Sequence, residues 1–274
     1  MVRNALRRIL KQFLFGLSRW AVDKHRPTVI AVVGEGKTAV AREAIYTALK
    51  DKFPTRRNLE APYADFALPL TVLGAGSYPT SIWEWKKTLF RTLVQLAILP
   101  RYKHVLVLEI GYIRKETFDY FWKIVHPNVL VVCGAAPYLS PNQKAPVTIK
   151  VKEPGNLENY LQSAKDVAKA LGMKPKDIQK QLANFKLPRA RIRVIPTKFG
   201  GILIDATYQY FPPDKKAVEE VLKAFPGKRI EISPQNLSAG IAQAEKKRGA
   251  TVVLAGPYVK MWPAITTLAH YPWS

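Results

Sequence analysis

Cysteine, histidine and acidic side chains are scarce in this sequence, and each shortage excludes a class of protein or site. Cys133 is the only cysteine, so the chain cannot form an internal disulfide. The four histidines are scattered without the spacing of metal ligands, and the sequence therefore indicates no structural metal. They are His25, His104, His126 and His270.

Long apolar runs are also missing. No run reaches the roughly eighteen residues that a membrane span requires, and none resembles a secretory signal with its cleavage site. These two absences predict a cytoplasmic protein. The composition, 48% hydrophobic and 23% charged in 274 residues, predicts a globular chain of two modest domains, or one domain with an appendage. A shortened form of a longer gene product is an alternative.

Negative charge is in deficit, because 43 lysines and arginines stand against 20 acidic residues and give a net charge of +23. A net positive charge of this size indicates one of several partners: nucleic acid, an anionic membrane surface or phosphorylated substrates. It is also found in proteins that merely have a solvated surface rich in lysine. The basic residues are spread along the chain and no RNA- or DNA-binding motif stands out, which disfavours nucleic acid as a partner.

The sequence begins with a basic amphipathic region, residues 1–26. Its apolar side chains share one face of the predicted helix: Val2, Leu6, Ile9, Leu10, Phe13, Leu17 and Trp20. The cations lie largely on the other face: Arg3, Arg7, Arg8, Lys11 and Arg19. Two interpretations are equally favoured. The helix lies in the membrane interface, as a peripheral contact with anionic lipid at the inner face, or it docks on its own domain.

A phosphate-loop pattern follows in residues 28–45. TVIAVV is a continuous β-branched run typical of a buried strand, and the segment from Thr38 onwards has helical spacing. Between them, Ala31, Gly36, Lys37 and Thr38 match [AG]-x-x-x-x-G-K-[ST]. In such a loop the backbone N–H groups face a phosphate, the lysine supplies positive charge and the hydroxyl is able to bind Mg²⁺. An ordinary strand-turn-helix is the alternative.

The rest of the chain predicts an α/β fold. Residues 55–74 are predicted as a loop-like stretch, because Pro62 and Pro69 exclude a long helix, and residues 80–99 as a second basic amphipathic helix. HVLVLEIG predicts a buried strand with Glu109 at its C-terminal end, where a doubly wound sheet gathers ligands. This glutamate either binds Mg²⁺ beside the loop or caps the next turn.

The order of elements predicts two domains after the N-terminal helix. Alternating strands and helices indicate a central parallel sheet with the phosphate loop, residues 27–186. Shorter strands and helices indicate a smaller, Rossmann-like α/β domain, residues 187–274.

In this order the motifs resemble those of the Mur ligases, and most closely the branch that adds D-alanyl-D-alanine (D-Ala-D-Ala) to UDP-N-acetylmuramoyl-tripeptide (UDP-MurNAc-tripeptide). The similar segments are AVVGEGKTAVAREAI, ADFALPLTVLG, LVLEIG, NLEN before an alanine-rich helix, and Arg191 followed by ILIDATYQYFP. Together they extend over most of the chain. Each motif is weak alone, but five in this order are fairly specific.

The resemblance implies ATP-dependent amide-bond formation in peptidoglycan precursor synthesis, part of cell wall assembly. In that chemistry a substrate carboxylate attacks the γ-phosphate of ATP to give an acyl-phosphate and ADP, and an incoming amine displaces the phosphate. The implied catalytic residues are Lys37, Glu109 and Arg191. The implied cofactor is ATP with Mg²⁺, the metal being held by Thr38 and Glu109. The implied nucleotide contacts are Gly34, Gly36, Lys37, Thr38, Asn156, Asn159 and Asp205.

The sequence also departs from the Mur ligase pattern. The loop Gly34-Glu35-Gly36 is one residue shorter and carries a carboxylate where an anionic phosphate belongs. A basic amphipathic helix stands before the nucleotide strand, where the family carries a UDP-sugar domain. The family's metal-binding histidine and the segment with its carbamylated lysine are not matched. Three hypotheses follow. The sequence favours a minimal active ligase, and the alternative is a degenerate Mur-ligase-like nucleotide-binding or scaffold partner. The third is a basic membrane- or nucleic-acid-associated module.

Overall fold

The computed structural model describes residues 2–35, 37–58, 64–79, 81–101, 103–110, 115–152, 156–187, 192–208 and 212–270. The chain divides into two compact units, Met1–Leu187 and Pro188–Ser274. Across the described residues, no helix is both long and apolar enough to cross a membrane.

A parallel sheet of five strands forms the centre of the first unit. The strands are β1 (Thr28–Val33), β2 (Thr55–Arg57), β3 (Val105–Glu109), β4 (Val129–Cys133) and β5 (Val147–Val151). Their spatial order is β2-β3-β1-β4-β5, and every neighbouring pair is parallel. β1 and β3 are apolar and almost wholly buried, as strands of a parallel sheet covered on both faces must be. Their C-terminal ends are adjacent, with Val32 opposite Glu109.

Seven helices of the described chain accompany this sheet: α1 (Val2–His25), α2 (Thr38–Leu49), α3 (Ala64–Val72), α4 (Ile82–Ile98), α5 (Lys115–Ile124), α6 (Leu157–Ala170) and α7 (Pro175–Leu182). α2 packs against α6 and follows β1 directly. The predicted helix over residues 80–99 is confirmed as α4. The side chain of Ser81 caps this helix by accepting a hydrogen bond from the Glu84 N–H at 3.2 Å.

The N-terminal helix α1 docks on its own unit with only part of its apolar surface. Its buried apolar side chains are Leu10, Leu14, Leu17, Ala21 and Val22. Its exposed large apolar side chains are Leu6, Ile9, Phe13 and Trp20. Arg7 and Lys11 reach Asp65 of α3, with N···O distances of 3.6 and 3.3 Å. The single apolar face predicted from the sequence is therefore split into a docked stripe and an exposed stripe.

The prediction of a loop-like stretch over residues 55–74 is wrong, because this segment holds β2 and α3. Pro69 lies inside α3, where a proline removes one backbone hydrogen bond. Phe66, Leu68 and Leu70 of the same helix are fully buried. Burial of three large apolar side chains, worth about 2 kcal/mol each, outweighs that loss.

The second unit is a smaller α/β structure around a four-stranded sheet. Its elements are β6 (Arg193–Pro196), β7 (Ile202–Tyr208), α8 (Lys215–Lys223), β8 (Arg229–Ile232), α9 (Leu237–Lys246), β9 (Thr251–Pro257) and α10 (Tyr258–Leu268). The order is β6-β7-β9-β8, with β6 antiparallel and the other pairs parallel. Ile204, Leu222 and Val253 form a core cluster. The predicted fold class, a parallel α/β unit followed by a smaller α/β unit, is confirmed.

Candidate functional site

The turn between β1 and α2 is held tightly against the end of β4. Gly34 has a φ of +116°, and a Cβ at this position would lie 2.3 Å from the carbonyl oxygen of Cys133. The next residue, Glu35, donates its backbone N–H to the Ala135 carbonyl at 2.8 Å. Only glycine fits position 34, since the backbone of β4 fills the space of any side chain.

Cys133 lies beneath this turn and is fully buried. Burial, and then the negative charge of Glu109, raises the pKa of its thiol to about 12. The thiol is therefore protonated at neutral pH and serves as a small apolar side chain.

Helix α6 supplies an acceptor to the turn. The backbone N–H of Lys37, which precedes α2, donates to the Tyr160 hydroxyl at 3.0 Å. Tyr160 is 1% exposed, so this hydroxyl is a fixed part of the structure. In a phosphate loop such N–H groups face the ligand, but here one of them has a partner within the protein.

Thr38 and Glu109, the pair expected to hold Mg²⁺, are in direct contact. Thr38 begins α2 and is buried, and Glu109 ends β3. The Thr38 hydroxyl donates to Glu109 Oε1 at 2.5 Å. The contact arises because β1 and β3 are neighbours and their C-terminal ends meet at the start of α2.

Arg42 occupies the other oxygen of the same carboxylate. It lies one turn after Thr38 on α2, and its Nη1 donates to Glu109 Oε2 at 2.8 Å. The two side chains are 10% and 13% exposed, so the ion pair is largely withdrawn from water. The Nε of Arg42 is also buried and has no hydrogen-bond partner within the described part of the chain. Arg42 was not among the predicted site residues. Its only signal in the sequence is a cation four residues after Thr38 on a helix whose other residues mostly face the core.

Asn58 fixes the backbone at Glu109. Its Nδ2 donates to the Glu109 carbonyl at 3.0 Å, and its Oδ1 accepts the Glu109 N–H at 2.5 Å. This reciprocal pair holds the end of β3 in one position. Asn58 follows β2, which the sequence analysis also missed, so no pattern in the sequence indicated this contact.

These residues fit a phosphate better than they fit Mg²⁺. Mg²⁺ requires near-octahedral oxygen ligands and keeps several waters, but Glu109 here binds a hydroxyl and a guanidinium. A fixed positive charge 2.8 Å from the carboxylate opposes a second cation at that oxygen. Lys37 and the N-terminus of α2, by contrast, form a positive region suited to a phosphate group. Within the described ranges no cluster of His, Cys, Asp or Glu is arranged to hold a metal.

The remaining expected nucleotide contacts lie elsewhere or are outside the described residues. Asn156 is the exposed N-cap of α6, and its side chain accepts the Glu158 N–H at 3.0 Å. Asn159 is half-buried on the same helix. Gly36 and Arg191 lie outside the described residues.

Asp205 is buried within the second unit. Its carboxylate accepts the Thr207 N–H and hydroxyl at 3.0 and 2.6 Å, and pairs with Arg193 across β6 and β7. These contacts are sufficient to satisfy the buried charge, so the carboxylate has a structural role in this unit.

Comparison with known proteins gives structural matches alone. No family model matches the chain, and no curated protein matches it. Solved structures similar to it include a MurF ligase from Thermotoga maritima in complex with ADP, at 16% identity and a TM-score of 0.47, covering 93% of this chain and 82% of that one. A MurF from Acinetobacter baumannii matches at 14% identity and a TM-score of 0.48, covering 93% and 79%.

A second type of ligase is also similar. A bifunctional folylpolyglutamate synthase/dihydrofolate synthase from Yersinia pestis matches at 10% identity and a TM-score of 0.39, covering 92% of this chain and 94% of that one. The MurF ligases are of the family that the motif order resembles. At these identities and TM-scores the matches are a likeness of architecture only, and the function has to be argued from the site itself.

Proposed function

We propose that the first unit is a degenerate Mur-ligase-like module that binds the phosphate chain of ATP without Mg²⁺ and acts as a nucleotide-binding or scaffold partner. One observation carries this proposal: the Glu109 carboxylate is shared between the Thr38 hydroxyl and the Arg42 guanidinium. A metal in this position would neutralise the negative charge of Glu109, but the guanidinium of Arg42 already does so.

The phosphate part of the proposal rests on the start of α2. Lys37 supplies a positive charge directly before the helix, and the helix N-terminus adds its partial positive charge. The carboxylate of Glu35 opposes anion binding at the same turn. We therefore expect weaker binding than an unmodified phosphate loop would give.

The alternative is a Mg²⁺-dependent ligase that joins D-Ala-D-Ala to a UDP-MurNAc-peptide through an acyl-phosphate. The proximity of Thr38 and Glu109 favours this alternative, since both side chains are at the expected ends of α2 and β3. It requires Arg42 to leave Glu109 whenever the metal binds, and to break an ion pair that is largely withdrawn from water.

Calorimetry of ATP binding in Mg²⁺ and in EDTA, followed by an assay for ADP release in the same samples, separates the two. The degenerate module binds ATP with an affinity that does not fall in EDTA, and releases no ADP. Binding that requires Mg²⁺ and is followed by ADP release would contradict it and favour the ligase. Absence of ATP binding under both conditions would contradict both.

A further inference from the structure

Helix α4 presents an unusually apolar surface to solvent. Only Trp85, Thr92 and Leu96 on its inner side are buried. On its outer side, Trp83 is 76% exposed, Phe90 70% and Ile98 75%. Scattered apolar residues on a surface are ordinary, but two aromatic rings and an isoleucine on one helix face indicate a binding surface.

The exposed residues are on one side of the helix. At 100° per residue, Trp83, Phe90 and Ile98 fall within a quarter-turn of one another. Three cations, Lys86, Lys87 and Arg91, are exposed in the same segment. We call these six residues the α4 face.

The charge on the α4 face is of one sign. Glu84 is the only acidic residue of α4, and it lies in the first turn, where it stabilises the helix start. Lys86 stacks over the Trp83 ring at 4.7 Å, so a cation and an aromatic ring occupy one position on the surface. A chain with a net charge of +23 adds long-range attraction towards an anionic partner.

From this geometry we propose that the α4 face docks on an anionic lipid bilayer. A helix that presents Trp and Phe beside Lys and Arg binds in the membrane interface, where the rings enter the acyl boundary and the cations meet lipid phosphates. Each basic residue close to an anionic leaflet contributes attraction that salt screens.

The neighbouring helix α1 has the same character. Its exposed stripe contains Ile9 and Trp20, and the two helices are in contact, with Lys24 Nζ donating to the Leu96 carbonyl at 2.5 Å. Deleting α1 would expose the apolar surface of the first unit that its buried leucines cover, so point substitutions on the exposed stripe are the proper probe of its contribution.

The test is co-flotation of the full chain with phosphatidylcholine vesicles that contain phosphatidylglycerol, compared with pure phosphatidylcholine. We expect binding to the anionic vesicles, reduced by about tenfold or more in W83S/F90S because each ring loses its apolar burial. K86E/K87E/R91E should also release the protein. The control K246E/K247E/R248E makes the same change in net charge on exposed residues of the second unit and should leave binding nearly intact.

Three results would overturn the proposal. The first is absence of binding to anionic vesicles by the unmodified chain. The second is equal loss in the two charge-reversed triple variants, which would mean general electrostatic attraction without a docking face. The third is full binding by W83S/F90S together with loss in I9S/W20S, which would assign the contact to α1. Circular dichroism and thermal unfolding of each variant check that the chain keeps its overall helix content and stability.

Discussion

The Thr38 hydroxyl and the Glu109 carboxylate lie 2.5 Å apart, although 71 positions separate them in the sequence. Their contact joins the start of α2 to the end of β3, beside the turn that follows β1. Arg42 Nη1 donates a hydrogen bond to the other oxygen of the Glu109 carboxylate, Oε2, at 2.8 Å. The site is thus internally neutralised before any ligand enters it.

The Arg42–Glu109 ion pair should contribute strongly to stability in a double-mutant cycle. R42M alone leaves a buried carboxylate uncompensated, and we expect it to lower the free energy of unfolding by about 3 kcal/mol. R42M/E109Q should lose much less than the sum of R42M and E109Q. Urea denaturation measures all four proteins, and the exposed pair of Lys165 and Glu158 is the control, with a coupling below about 1 kcal/mol. Equal, small coupling in both pairs would contradict a buried ion pair.

Lys37 should carry the ATP affinity. K37A removes the positive charge that precedes α2, and we expect its dissociation constant for ATP to rise at least about tenfold. K50A, at the exposed C-cap of the same helix, is the matched control and should bind ATP like the unmodified chain. Calorimetry measures both variants. An unchanged affinity in K37A would remove the phosphate-loop interpretation.

Two glycines should respond in opposite directions to alanine. G34A places a methyl group against the Cys133 carbonyl at a positive φ, and it should destabilise the chain by about 2 kcal/mol or more. Gly16 lies within α1, and a methyl group added there would meet open space, so G16A should stabilise by about 0.5–1 kcal/mol. Thermal unfolding of the two variants is the measurement. A neutral G34A would show that the turn moves easily away from β4.

Removal of the Tyr160 hydroxyl should release the Lys37 N–H to a ligand. Y160F should lower the free energy of unfolding by about 1 kcal/mol and tighten ATP binding, because a donor is no longer used inside the protein. Y120F removes another hydrogen bond, from the Tyr120 hydroxyl on α5 to the Lys11 carbonyl on α1 at 3.0 Å. It should cost similar stability and leave ATP affinity unchanged. Weaker ATP binding in Y160F would indicate that the hydroxyl itself contacts the ligand.

His25 should make the chain less stable in mild acid. Burial, then the positive charges of Lys24 and Arg56, lowers the pKa of its imidazole below the ordinary value of 6.5, and His104 faces the same ring. The unfolded chain therefore takes up a proton near pH 6.5 and the folded chain only at lower pH, so stability falls as pH decreases through this interval.

H25Q should reduce the loss of unfolding free energy on acidification from about pH 7.5 to about pH 5.5. Urea titrations at the two pH values measure this loss. The exposed His126 gives the control variant H126Q, in which the loss of stability on acidification should persist. An equal loss in H25Q and the unmodified chain would assign the pH dependence to other groups.

Sequence patterns predicted the elements that are long, apolar and buried. β1, β3 and β4 are continuous apolar runs, and α2 has helical spacing, so local sequence and tertiary burial agree. Other elements lack such agreement, and the loop-like prediction for residues 55–74 was wrong for two of them, β2 and α3. β2 has two arginines in three residues, β5 is an exposed edge strand, and α3 and α10 each contain a proline. Their structure depends on neighbours that a local pattern does not contain.

The site was predictable to the same degree. The meeting of Thr38 and Glu109 follows from a general rule on parallel sheets, which brings the ends of adjacent strands together. Arg42, Asn58 and Tyr160 follow no such rule, since each acts through a single tertiary contact. Their hydrogen bonds are the reason for proposing a closed network at this site in place of a metal centre.

The buried, protonated thiol of Cys133 has a practical consequence for labelling. Maleimide reagents attack thiolates, and a pKa of about 12 inside the first unit leaves the native chain nearly unreactive at neutral pH. A single cysteine introduced on the surface would then be the only site of modification. Ala97 is exposed on α4. The substitution Ala97→Cys would allow a polarity-sensitive fluorophore to be attached there, and its emission would distinguish acyl chains from water. The native cysteine would not need to be removed.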